Sequence, residues 1–406
     1  MSMKPILFFI SCLLAFTAGH MVNYSVIIYS QEVLKSNLLA GIGFGLCFGP
    51  PLFFGWIAGV LCDRVPPARL IHAAQFVFVC AAAILWGSHH FISLASDRAP
   101  FVMMAAFCAG LGWSFVSPAR MTVLAQVVKP SQLKLASIVF NLLVMLGFGL
   151  GPILISALRG SGTDANLLGW SKVFMTAASF FILGSLLLIP IQTKALGTSK
   201  KSALNELVEG LRFAKSHPEV RDLLVSALIG YSLMGPIQVL LPRLAKDILG
   251  LTEMARGSFL GALAPSLIVG GIFSMTLAKK GPTKKLVYFS IIFAGCLFAM
   301  LGLAHTTWVA TLLLISVGIL GGCGLSLIVA SLQAAVDDRV RGRILSQYTI
   351  ISQVIPAASG IFAGTLAHFS SVTTAIIVCG FLIALTKGLR PVFSAFAIRN
   401  SELKTS

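Results

Sequence analysis

The feature that most constrains this chain is a recurring apolar run of about 20 residues, because a run of that length crosses a bilayer as a helix. In the first half such runs fall at about 5 to 29, 38 to 61, 69 to 93, 100 to 122, 135 to 158 and 170 to 191, each bounded by glycine, proline or charge. In the second half they fall at about 223 to 242, 257 to 278, 284 to 304, 307 to 330, 344 to 367 and 370 to 387. Only 11% of the 406 residues are charged, against about 25% in an ordinary soluble chain. The expectation is an all-α membrane protein of twelve transmembrane helices in two six-helix bundles, residues 1–191 and 223–406 with a short cytoplasmic tail. The polar segment 192–222 joins them as a cytoplasmic linker, with an amphipathic stretch from Ala203 to Lys215. The first run lacks a small-residue cleavage site and reads as an uncleaved first helix.

The net charge of +17 would suggest nucleic acid in a soluble chain, so its placement matters. With the N-terminus inside, Lys4, Arg64, Arg69, Lys129, Lys134, the linker bases, Lys279, Lys280, Lys284, Lys285, Arg339, Arg341, Arg343 and the tail bases share one side. Lys35, Arg98, Arg159, Lys172, Arg243, Lys246 and Arg256 fall on the other. Basic residues are held in cytoplasmic loops, so this imbalance of roughly three to one places both termini in the cytoplasm of a bacterial inner membrane. It leaves no need for a nucleic-acid partner. The eight cysteines lie in or beside apolar runs with no CxxC pair, and read as buried thiols rather than disulfides or metal ligands. No phosphate-binding GxxxxGK[ST], HExxH or nucleophile elbow is present, so an enzyme, a cofactor and a metal are not expected.

Four sequence features carry a family resemblance. The turn after the second run reads Gly59-Val-Leu61-Cys-Asp63-Arg64-Val-Pro66-Pro67-Ala-Arg69, which resembles the GxLaDrxGrr loop of the major facilitator superfamily, with Pro66-Pro67 in place of glycine and a base. The fifth run carries Gly147-Phe-Gly149-Leu-Gly151-Pro152, resembling the GxxxGP packing signature of the antiporting branches. Ser117-Pro-Ala-Arg120 and the stretch Leu332 to Arg343, with Asp338, Arg341 and Arg343, look like the subgroup of the enterobactin exporter and macrolide efflux proteins. The resemblance implies two pseudo-symmetric bundles that rock about a central site, with a small-molecule substrate, surrounding lipid and a monomeric state. It also implies a cytoplasmic gate built from Gly59, Asp63, Arg64, Arg69, Arg120, Asp338, Arg341 and Arg343.

Polar residues inside spans are costly in hydrocarbon and so usually face a cavity. His20, Asn23 and Tyr24 share a face of the first span, Trp113, Ser117 and Arg120 share one of the fourth, and Tyr231 and Gln238 share one of the seventh. In proteins of this resemblance those spans, with the tenth, line the central cavity. Each residue also has a plainer reading: His20 can bond a backbone carbonyl, and Arg120 can pair with Asp63. None of the thirteen acidic residues lies at the middle of a span, which leaves His20 as the mid-span side chain that titrates near physiological pH. A cavity with bases and no carboxylate favours an anionic or neutral solute over a cation. The resulting expectation is proton-coupled export of a small metabolite such as a siderophore. A lysophospholipid or amphipathic-drug carrier, or a sensor that no longer transports, are the alternatives. The glycines Gly41, Gly45, Gly49, Gly55 and Gly59 of the second span, set against Ala357, Gly360 and Gly364, form a small-residue seam.

Overall fold

Helix α1, Met3–Glu32, runs unbroken for 30 residues. At 1.5 Å per residue that is about 45 Å, longer than the roughly 30 Å hydrocarbon layer, so the helix carries Glu32 out to a polar edge. The protein is described here by a computed structural model covering residues 3–160, 167–195, 212–277, 283–336 and 338–386. From Ala15 to Gln31 nearly every side chain of α1 is buried, as expected of a helix enclosed on all sides.

The remaining spans follow in chain order. The second is split into α2 (Asn37–Phe48) and α3 (Pro51–Arg64). Then come α4 (Pro67–Phe91), α5 (Ala99–Val127), α6 (Leu133–Arg159) and α7 (Leu167–Leu186). The second half holds α8 (Pro218–Tyr231), α9 (Met234–Arg243), α10 (Glu253–Gly261) and α11 (Leu263–Leu277). It continues with α12 (Thr283–Leu301), α13 (Thr307–Ala335), α14 (Asp338–Phe369) and α15 (Val372–Thr386). Ten helical segments among the described residues are long and apolar enough to cross a membrane, and α7 and α15 occupy the sixth and twelfth places. Large apolar side chains such as Phe53, Phe76, Phe289 and Leu312 stand exposed around the outside, the surface a bilayer covers.

Several boundaries differ from the sequence reading, each for a local reason. The second span is not one helix, because Pro50 and Pro51 lack the N–H groups that would continue the ladder after Gly49. The seventh span starts at Pro218, ahead of residue 223, and breaks after Tyr231, where Pro236 withholds a donor. It ends in a π-helical turn, Leu244–Ile248, following Pro242. The first span runs past Tyr29 to Glu32. Cys296 is exposed rather than buried. Most of the amphipathic stretch at 203–215 lies outside the described residues; residues 212–216 are helical.

The halves meet along two seams. α2 packs on α14, and α6 packs on α10 and α11. A Cβ on Gly41 would lie 2.9 Å from Gly364 Cα, and one on Gly45 would meet the Ile361 side chain at 2.5 Å. A Cβ on Gly49 would meet its own helix, and one on Gly55 would meet nothing within 4 Å. Gly149 faces Ala264 and Gly261 of the other half.

Candidate functional site

Two of the first-half candidates, His20 and Asn23, meet the indole of Trp113, and Tyr24 joins them through Phe148. Gly19 makes room for it, since a Cβ there would meet Trp113 Cζ2 at 2.6 Å. The Trp113 ring stacks nearly parallel on Phe16 with centroids 6.2 Å apart, and lies 5.4 Å from the His20 ring. Phe148 closes on His20 edge to face at 5.2 Å and on Tyr24 at 5.9 Å. Asn23, with its amide turned to suit both neighbours, accepts from Trp113 Nε1 at 3.1 Å and donates to the Gly19 carbonyl at 3.3 Å. These polar and aromatic groups come from α1, α5 and α6, so the site is built where those three helices cross.

The His20 ring is buried, and both its nitrogens lack a hydrogen-bond partner. The backbone-carbonyl bond that would have made it a plain packing residue is therefore not formed. Burying an imidazole without a partner costs about 1–3 kcal/mol of desolvation, and it leaves a donor and an acceptor for something else. Trp113 and Phe148 are half-buried, so their rings are partly open. Aromatic walls of this kind take up flat apolar groups by stacking.

Arg120 does not join that group, and it is not exposed at all. Its guanidinium donates to Ser11 Oγ and the Ser11 carbonyl at 3.4 Å and reaches Cys12 Sγ at 2.9 Å. Phe16 lies beneath it at 5.5 Å. Among the described residues the cation is held by dipoles and a ring face rather than by a carboxylate. Ser117 is half-buried beside it on α5. In the second half, the Tyr231 hydroxyl bonds the Tyr348 hydroxyl at 2.8 Å. Gln238 is buried with its Oε1 unpartnered. Among the described residues, no hydrogen bond links Tyr231 or Gln238 to the first-half group.

Of the gate residues inferred from the loop signature, Arg64 and Arg69 are exposed. The side chains of Asp63, Asp338, Arg341 and Arg343 lie outside the described residues, although their backbone, like that of Gly59, is helical. Gly147 and Gly151 fit against α1, where a Cβ would lie 2.7 Å from Phe16 C and 3.0 Å from His20 Cβ. The Pro152 carbonyl lies 2.9 Å from a Cβ built on Gly257 of the other half.

Sequence reasoning passed over Phe148 and Tyr348. Phe148 was hidden inside a glycine motif, yet one helical step from Gly147 turns it beside His20 and Tyr24. Tyr348 had no signal, because its role depends on the partner that the break in the seventh span presents.

A sequence profile of the Major Facilitator Superfamily matches residues 6–360. The Multidrug efflux pump Tap of Mycolicibacterium fortuitum is 24% identical over 310 residues, which is 75% of this chain and 69% of that protein. Among solved structures, a bacterial homolog of the human lysosomal transporter Spinster, inward-facing and unoccupied, superposes with TM-score 0.75 at 14% identity. That match covers 98% of this chain and 96% of the other. A D-xylose-proton symporter gives TM-score 0.71 at 14% identity over 95% and 96%. At such identities the structural matches speak for the fold alone.

Proposed function

This chain belongs to the major facilitator superfamily, and from that premise we propose that it exports a small organic solute, neutral or anionic, across the bacterial plasma membrane by alternating access. The observation that carries the reading is the buried His20 imidazole, unpartnered at both nitrogens and walled by Trp113 and Phe148. A ring-bearing solute stacks on the aromatic walls while a hydroxyl, carbonyl or carboxylate of the solute bonds the imidazole. The absence of a mid-span acidic residue disfavours a cationic solute, since no span brings a carboxylate to its middle to neutralise it. Siderophore-like acids fit these terms but are one member of the class. His20 is also the group through which a proton would be exchanged. The cytoplasmic orientation of both termini follows from the basic-residue imbalance.

A second reading, an amphipathic-drug carrier, draws on the likeness to an efflux pump and on a cleft of 260 Å³ in the second half. Leu228, Ser232, Phe362 and Leu382 line that cleft, and three of the four are exposed apolar residues on the membrane-facing surface.

Uptake into inside-out vesicles, with and without an imposed pH gradient, separates these readings. The panel is an anionic catechol, a lysophospholipid and a cationic dye. Gradient-stimulated accumulation of the anion, lost in His20→Ala, is the expected result. Movement of only the lipid or the dye would replace the first reading with the second.

A further inference from the structure

Outside the His20 site, charged side chains gather where α1 ends. Glu32 Oε2 lies 2.6 Å from Arg159 Nη2, while its Oε1 lies 2.6 Å from Arg256 Nη1 and 3.1 Å from Lys246 Nζ. Arg159 also reaches Glu253 at 3.4 Å, and Glu253 pairs with Arg256. The Glu32 side chain is 9% exposed and that of Arg159 is 4% exposed. Five charges from α1, α6, the π-helical turn and α10 thus meet in one cluster.

Three of these pairs cross between the halves: Glu32 with Arg256, Glu32 with Lys246, and Arg159 with Glu253. Hydrogen bonds beside them cross as well. Gln31 Nε2 donates to the Val239 carbonyl at 2.6 Å, Arg243 donates to the Gln31 carbonyl at 3.0 Å, and Asn37 Nδ2 donates to the Ala367 carbonyl at 3.3 Å. Arg159 is fixed in its own half by lying 4.3 Å over the Trp170 ring, which Tyr29 buttresses edge to face.

We propose that this cluster is an ionic latch that holds the Glu32 face of the transporter shut, with Glu32 as its keystone. The inference rests on alternating access between the two halves, but not on any choice of solute.

The pairing explains how such a latch opens. On separation, Glu32 keeps Arg159 and Glu253 keeps Arg256, because those pairs lie within one half. Neither carboxylate is stranded. Lys246 alone loses its carboxylate, and at 35% exposure water takes over its solvation. Opening exchanges cross-half pairs for water without leaving a buried charge bare, whereas loss of Glu32 itself would leave three cations facing a single carboxylate.

Hydrogen exchange of the full-length protein in lipid nanodiscs, without any solute, tests the proposal. In Glu32→Gln the amides of residues 27–36 and 250–258 should exchange at least tenfold faster, while those of 122–132 and 330–336 on the opposite face become slower. Glu32→Asp, which keeps the charge, should stay near the parent. Lys246→Gln should too, because Glu32 retains both arginines. Unchanged exchange in Glu32→Gln, or faster exchange at both faces together, overturns the latch. Opening in Lys246→Gln as large as in Glu32→Gln overturns Glu32 as the keystone. A reciprocal shift in a protein that moves no panel solute would retire the substrate reading and leave the latch standing.

Discussion

Arg120 brings a full charge into a site where no described residue offers it a carboxylate. Its contacts are the Ser11 hydroxyl and carbonyl, the Cys12 thiol and the Phe16 ring. Burying an ion costs several kcal/mol, which dipoles of this kind repay only in part. A side chain kept purely for packing would do better as an apolar residue of similar length. Arg120→Met should therefore melt in detergent no lower than the parent, or about 1–3 kcal/mol more stable, while losing transport in vesicles. A melting point well below the parent would mark Arg120 as a structural residue only. Trp113→Ala belongs at the same scale. It removes the stacked contact with Phe16 and the tilted one with His20, each pair worth about 0.5–1.5 kcal/mol, and should abolish transport while the protein still inserts and purifies as a monodisperse species.

At the scale of elements, α6 explains why one motif carries two kinds of glycine. Gly147 and Gly151 are four residues apart, so they share a face and press on α1 within their own half. Gly149 sits about half a turn away and presses on Gly261 across the seam. A side chain at either place overpacks, but with different consequences. Gly147→Val should lower the melting temperature, at a cost of about 1–3 kcal/mol. Gly149→Val should leave the half intact and wedge the seam, speeding exchange in residues 253–261 more than within α1. Equal effects at both positions would mean that the seam is no more mobile than the bundle interior. Much of this was legible in the sequence, because small residues at four-residue spacing in an apolar helix mark close approach. Which face meets which neighbour was not, since glycine spacing fixes a direction around one helix and says nothing of what stands there.

At the scale of the whole molecule, the charge imbalance along the chain becomes a separation of faces. Arg159, Arg243, Lys246 and Arg256, assigned to one side from loop order alone, converge around the end of α1. The bundle therefore has one face rich in cross-half ion pairs. Its orientation in the membrane is testable. Ser370→Cys, just past α14, should react with an impermeant maleimide on intact cells above the background of the native thiols. Ser131→Cys, in the turn before α6, should react only after permeabilisation. The reverse pattern would invert the topology and turn the latch toward the cytoplasm.

The sequence by itself determined that this chain dissolves in lipid, about how many spans it has and that its bases gather in alternate loops. Each of those follows from hydropathy and charge summed over consecutive residues. It also pointed to His20, Asn23, Tyr24 and Trp113, because helical phase alone sets residues three or four apart on one face. What it could not supply was any relation between helices distant in the chain. Glu32 read as a loop residue beyond an apolar run, and its importance appears only when α6, the π-helical turn and α10 bring three cations to it. Tyr348 and Phe148 are likewise defined by neighbours more than a hundred residues away. An ion pair or a ring contact is a matter of a few ångströms between elements, and only packing in three dimensions decides those distances.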